Sequence, residues 1–144
     1  LSHTLPGTGI HPGTLPADAY YEPGPPGAPL VISFSDDSGA TWSQPRPMQQ
    51  ARGCFPRMAF DGKVLALTYG GLAYPRWGNC IAFSTDGGIT WTEEINFAPL
   101  FTTGYTDIIA LGPGKFLAVF DNTPPQPWTN HAAHWVGAVD IEVT

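Results

Sequence analysis

A chain of 144 residues, 42% hydrophobic and 12% charged, is long enough for one ordinary domain with a moderate core. Its net charge of -6 and its six Lys and Arg leave no clustered cations of the kind a nucleic-acid or anionic-membrane surface needs. No apolar run approaches the roughly 18 residues of a spanning helix, so neither a nucleic-acid nor a membrane partner is expected.

The opening LSHTLPGTGIHPG has no charged region followed by an apolar stretch, so no signal peptide is read there. The absence of an initial Met marks the chain as processed, truncated or cut from something longer. Up to about Ala28 the sequence is rich in Pro and Gly and lacks periodicity, as a loop or tether would. Leu30 to Ser35 is then a short β-branched run ending in a turn cluster, and Thr41-Trp42-Ser43 restarts an extended segment. Cys54 to Phe60 reads as a strand, with a turn at Asp61-Gly62. Val64 to Tyr69 is an apolar strand, Gly70 to Gly78 a loop, Asn79 to Ser84 a strand, and Thr90 to Phe97 another. The pattern begins again with Tyr105 to Leu111, a turn at Gly112-Pro113-Gly114, and Phe116 to Phe120. A Pro-rich loop leads to a last strand, Trp135 to Val143. No stretch sustains a 3.6-residue period with caps, so an all-β chain without long helices is expected.

Two segments share the pattern S-x-D-x-G-x-T-W. One is Ser35-Asp36-Asp37-Ser38-Gly39-Ala40-Thr41-Trp42; the other, 49 residues on, is Ser84-Thr85-Asp86-Gly87-Gly88-Ile89-Thr90-Trp91. Each position has a local mechanical reason. Asp37 and Asp86 can accept hydrogen bonds from turn N–H groups just ahead. Gly39 and Gly88 supply positive φ without a Cβ clash. Thr41 and Thr90 favour the outgoing strand, and Trp42 and Trp91 are expected to bury a large ring against the hairpin. These aspartates staple hairpins; they are not read as catalysts or metal ligands.

The motif is the Asp-box, and the chain resembles the sialidase superfamily. The resemblance implies a partial β-propeller, about two and a half four-stranded antiparallel blades from the C-terminal part of a six-bladed propeller. Asp-boxes there join the third and fourth strands of a blade, on the face away from the active site. Residues 29–50 would then be the outer strands of one blade, 53–98 a complete blade, and 104–143 three strands of the last. The starts at Cys54 and Tyr105 would share a face with the segments 1–28, 70–78 and 122–134.

Two residues on that face resemble sialidase motifs. Gly104-Tyr105-Thr106-Asp107-Ile108 is similar to the segment whose tyrosine is the family's nucleophile. Arg76, eight residues before Ser84, resembles the last arginine of the triad that clamps the sialic acid carboxylate. The residue types suit the chemistry. A guanidinium pairs bidentately with a carboxylate, and a neutral phenol does not repel an anionic sugar. Tyr105 as a packing aromatic and Arg76 as a solvated cation remain the alternatives. The family's Asp acid/base, first and second arginines and Glu have no counterpart here; Glu22 lies too close to Ser35 for the strands that should intervene. Arg57 sits on an inner strand without a motif.

His131, His134 and Trp128 form a possible sugar contact. As a zinc pair the histidines lack a third ligand, and neither metal nor cofactor is expected. Cys54 and Cys80 are read as small buried hydrophobes. Two strand spacings of about 4.8 Å separate them by about 10 Å, beyond disulfide reach. The expected function is that of the C-terminal part of an exo-sialidase acting on glycans, inactive by itself. The alternatives are another Asp-box enzyme acting on acidic glycans, or a non-catalytic propeller module binding glycan or protein. The exposed edge of the last strand calls for another chain, further blades or a second copy. The resemblance favours a secreted or extracellular setting.

Overall fold

The computed structural model describes residues 29–71, 78–98, 102, 104–122 and 135–144. Nine strands run through them: β1 (Pro29–Ile32), β2 (Arg46–Arg52), β3 (Cys54–Phe60), β4 (Leu65–Gly71), β5 (Gly78–Ser84), β6 (Ile95–Ala98), β7 (Thr106–Gly112), β8 (Lys115–Asn122) and β9 (Trp135–Glu142). Among the described residues there is no helix, and none is long and apolar enough to cross a membrane. The strands form three antiparallel meanders, ordered β1-β2, β3-β4-β5-β6 and β7-β8-β9. Within each sheet every strand pairs with its neighbour in sequence; tight turns join β3 to β4 and β7 to β8, and longer connections join the other pairs.

The middle sheet is covered on both faces, which explains why β4 and β5 read as continuous apolar runs rather than alternating ones. Alternation persists in what each residue touches. Leu67, Tyr69 and Cys80 join Leu30, Ile32, Met48 and Ala51 of the first sheet in one core. Ala66, Ile81 and Phe83 join Ile108, Phe116 and Ala118 of the third sheet in another. Directly opposed residues point the same way: Tyr69 pairs with Cys80, and Ala66 with Phe83. The three sheets therefore stack face to face in chain order.

The ends of the stack are tied. Asp61, in the β3–β4 turn, accepts the N–H groups of Lys63 (2.7 Å) and Val64 (2.6 Å) with one carboxylate oxygen. Its other oxygen accepts Gly114 N–H from the β7–β8 turn at 2.6 Å. Asp61 was expected only to mark a turn, yet it joins two sheets. At the opposite end β4 crosses the chain before β7, where Gly70 meets Gly104 backbone to backbone.

The strand boundaries differ from expectation at the Asp-boxes. Thr41–Ser43 and the start of Thr90–Phe97 are not regular ladder; β2 begins at Arg46 and β6 at Ile95. The reason is a side-chain substitution. Ser43 N–H donates to the Phe34 carbonyl (2.7 Å), but Phe34 N–H donates to the Ser43 hydroxyl (2.9 Å) instead of a carbonyl. Thr92 and Phe83 repeat this with 2.9 and 3.1 Å. The hydroxyl after the motif tryptophan thus replaces one rung of the ladder, and no regular strand forms until it has passed.

Candidate functional site

Both Asp-box turns lie at the end of the stack that holds the β3–β4 and β7–β8 turns. Arg46, at the start of β2, reaches across to donate to the Gly88 and Ile89 carbonyls (3.4 and 3.2 Å) and lies 5.0 Å from the Phe34 ring centroid. Within each turn the same network recurs. Asp37 accepts Ser35 Oγ–H (2.8 Å), Thr41 N–H (2.8 Å) and Thr41 Oγ1–H (2.6 Å). Asp86 accepts Ser84 Oγ–H (2.7 Å), Ile89 N–H (3.0 Å), Thr90 N–H (2.9 Å) and Thr90 Oγ1–H (2.6 Å). The serine hydroxyls accept Gly39 and Gly88 N–H, each at 2.8 Å, where φ is +91° and +90°. Both oxygens of each carboxylate are engaged within the turn, so the aspartates stabilise its conformation.

The tryptophans differ. Each donates its indole N–H to the motif glycine carbonyl at 3.0 Å. Trp91 also packs on the first core, whereas Trp42 is 63% exposed, against the expectation of a buried ring. The second Asp-box has the first sheet alongside it. Among the described residues no sheet stands beyond the first, so the Trp42 ring covers only its own turn.

The charged forms of these aspartates are favoured by the bonds they accept. The Thr41 hydroxyl and N–H hold Asp37 down at about 2; the Thr90 hydroxyl and N–H hold Asp86 well below the usual carboxylate range; and Val64, Gly114 and Lys63 N–H groups lower Asp61. A carboxylate whose folded value is depressed contributes stability that is complete above its unfolded value near 4 and is lost as pH falls through the folded one. The thermal midpoint is therefore expected to be level between about pH 7 and pH 5 and to fall progressively below about pH 4. Differential scanning fluorimetry across that range tests this; a midpoint that held steady to about pH 2 would contradict it.

The other end of the stack gathers the starts of β3, β5, β7 and β9 and the ends of β4 and β8. Tyr105, just before β7, is 60% exposed there. Its carbonyl accepts Asp121 N–H from β8 (3.2 Å), and Thr106 beside it bonds Thr68 Oγ1 of β4 at 3.1 Å. Its ring stacks on Phe55 of β3, centroids 4.6 Å apart and planes at 16°. A polar cluster unmarked by sequence motifs supports this end. The Thr102 hydroxyl donates to the Asp121 carboxylate, accepts Gly104 N–H (2.8 Å) and lies 3.3 Å from Asn79 Oδ1; Asn79 donates its amide to the Asp121 carbonyl at 3.3 Å. Asn79 is fully buried, so the Asp121 carbonyl satisfies its amide N–H where water is excluded. A polar residue in an apolar strand is the signal that could have flagged it.

A hollow of about 210 Å³ opens beside Tyr105, lined by Asp107, Val119, Asp121 and Val136 among others. Cys54, at the start of β3, is half-buried rather than buried as expected. Burial and then the neighbouring Asp121 carboxylate push its thiol up to about 11, which leaves it protonated and unreactive at neutral pH. Cys54 and Cys80 lie on β3 and β5 with β4 between them, and neither is in a disulfide. Arg57 is exposed and donates to the Pro56 carbonyl at 3.3 Å.

Arg76, Glu22, Trp128, His131 and His134 lie outside the described residues. Gly71 and Gly78, which flank the segment holding Arg76, pair with each other at the Tyr105 end. Among the described residues no three His, Cys, Asp or Glu side chains come together as a metal-ligating group. No family model matches the chain, and neither the curated proteins nor the solved structures give a match.

Proposed function

We propose that the chain is part of a sialidase-like Asp-box β-propeller, with Tyr105 as nucleophile and Arg76 as a carboxylate clamp in a glycoside hydrolase that releases terminal sialic acid. The observation that carries this reading is the segregation of the two kinds of motif. Two complete Asp-box networks occupy one end of the sheet stack, and the exposed Tyr105 stands at the other, as the resemblance requires. The face-to-face meanders also favour blades of a propeller. Ile109, Leu111 and Val136, exposed on the third sheet, favour further blades or another chain against it.

In the proposed reaction the Tyr105 phenol gives up its proton to a base as its oxygen attacks the anomeric carbon, the leaving oxygen departs with a proton from an acid, and water then cleaves the glycosyl–tyrosine bond and restores the phenol. The acid/base for these steps lies elsewhere than in the matched residues. A neutral phenol approaches an anionic sugar without the repulsion that a carboxylate would suffer. Turnover of a fluorogenic sialoside by the complete propeller that the chain is proposed to belong to, and by its Tyr105→Phe variant, tests the assignment. The variant is expected to lose at least about a hundredfold in kcat, the scale of lost nucleophilic and proton-transfer assistance. Unchanged turnover would sink the nucleophile role. The reading in which the propeller only binds glycan predicts no turnover by either protein, with binding of sialylated glycan retained.

A further inference from the structure

We propose that Phe55 is a positioning residue, holding the Tyr105 phenol in one orientation. The inference rests on Tyr105 being the reacting group, and it starts from the backbone. Phe55 has φ of +50°, in the left-handed region that a bulky side chain enters only at a cost. It also precedes Pro56, which disfavours helical backbone angles at the residue before it and so adds to the restriction. The β3–β4 register shifts between Cys54 and Arg57, so the irregularity sits in the ladder at this residue. Strain of this kind persists where its surroundings over-determine it, and it is concentrated at sites that use it.

The consequence is directional. A regular strand would send the side chain of residue 55 perpendicular to the sheet, outward from one of its faces. The shifted register and the left-handed backbone turn it instead onto the ring of Tyr105, stacked at 4.6 Å and 16°. Tyr105 needs such support. Its backbone is fixed through Asp121 and its neighbour Thr106 through Thr68, but its side chain stands 60% exposed. An exposed phenol explores several χ1 wells; a ring stacked along its length restricts it to those that keep the stack. No proton moves in this role. Phe55 acts by limiting where the Tyr105 oxygen can be.

Aromatic ¹H–¹³C spectra test the proposal directly, with the Tyr105 signals identified by their loss in Tyr105→Phe. Stacking displaces these signals upfield. Phe55→Gly, which removes the ring and accepts the positive φ, should return them toward the values of a free tyrosine, while Phe55→Tyr keeps them displaced. Because glycine suits the backbone here, Phe55→Gly is expected to melt no lower than Phe55→Ala, the reverse of the usual order in a strand. In sialoside turnover by the complete propeller Phe55→Gly should lower kcat by on the order of 10- to 100-fold with a smaller change in KM, and Phe55→Tyr should restore most of it. Tyr105 signals that do not move in Phe55→Gly would overturn the proposal, as would moved signals with kcat unchanged. If Tyr105→Phe retains full turnover the nucleophile reading fails separately, and the spectra still decide whether Phe55 orients the ring.

Discussion

Gly70→Ala is expected to pry the middle and third sheets apart at the Tyr105 end. An added Cβ would fall inside van der Waals contact of the Gly104 Cα and only 2.8 Å from its carbonyl oxygen, so backbone, not a flexible side chain, must yield. Inserting atoms into a packed interior costs about 1–3 kcal/mol when side chains can adjust, and a backbone obstacle puts this substitution at the upper end or beyond. Relief can come only by moving β4 or the segment that carries Gly104 and Tyr105. The Thr106–Thr68 hydrogen bond and the Phe55–Tyr105 stack lie beside that crossing and should loosen together. Urea unfolding measures the loss, and broadening of the Tyr105 ring signals shows where it falls. A variant as stable as the parent, with the stack intact, would mean that the two backbones separate easily.

Phe116→Ala should be as severe by the opposite route. Phe116 is fully buried at the centre of the second core, its ring centroid 6.3 Å from that of Phe83. Removing the ring leaves a cavity that the surrounding strands, held by their ladders, cannot close. Phe→Ala changes of this kind cost about 3–5 kcal/mol, a large share of the roughly 5–15 kcal/mol that holds an ordinary domain together. Chemical denaturation should show a lower midpoint with the slope retained. A loss below about 1 kcal/mol would mean that the site collapses around the smaller side chain.

Most of the strand pattern was legible because turns punctuate it. Cys54–Phe60 coincides with β3, and the ends of β4, β5, β7, β8 and β9 fall within two residues or so of their expected positions. The Asp-box glycines were readable as positive-φ sites because each motif position acts within its own turn. What escaped the reading depends on distance in sequence. Asp61 looks like any turn aspartate until Gly114 is placed beside it. Thr102, Asn79 and Asp121 carry no spacing that announces their mutual bonds. The exposure of Trp42 also follows from what packs beside its turn, which the eight-residue motif does not contain. Tyr105 was identifiable as a candidate, but its partner Phe55 was hidden, since nothing in Cys-Phe-Pro declares a left-handed phenylalanine.

The two-faced character of β4 has a consequence for how the chain avoids misassembly. Its side chains alternate between a core that accommodates Leu67 and Tyr69 and one that accommodates Ala66 beside the hydroxyl-bearing Thr68. A slip of one residue against β3 or β5 would exchange the two sets. The Tyr69 ring would then be driven toward the space where Thr68 meets Thr106, while small side chains faced the first sheet and left it hollow. Neither core tolerates the other's contents, so the sizes along this one strand exclude the shifted pairings and the native register is chosen by volume as much as by turn geometry.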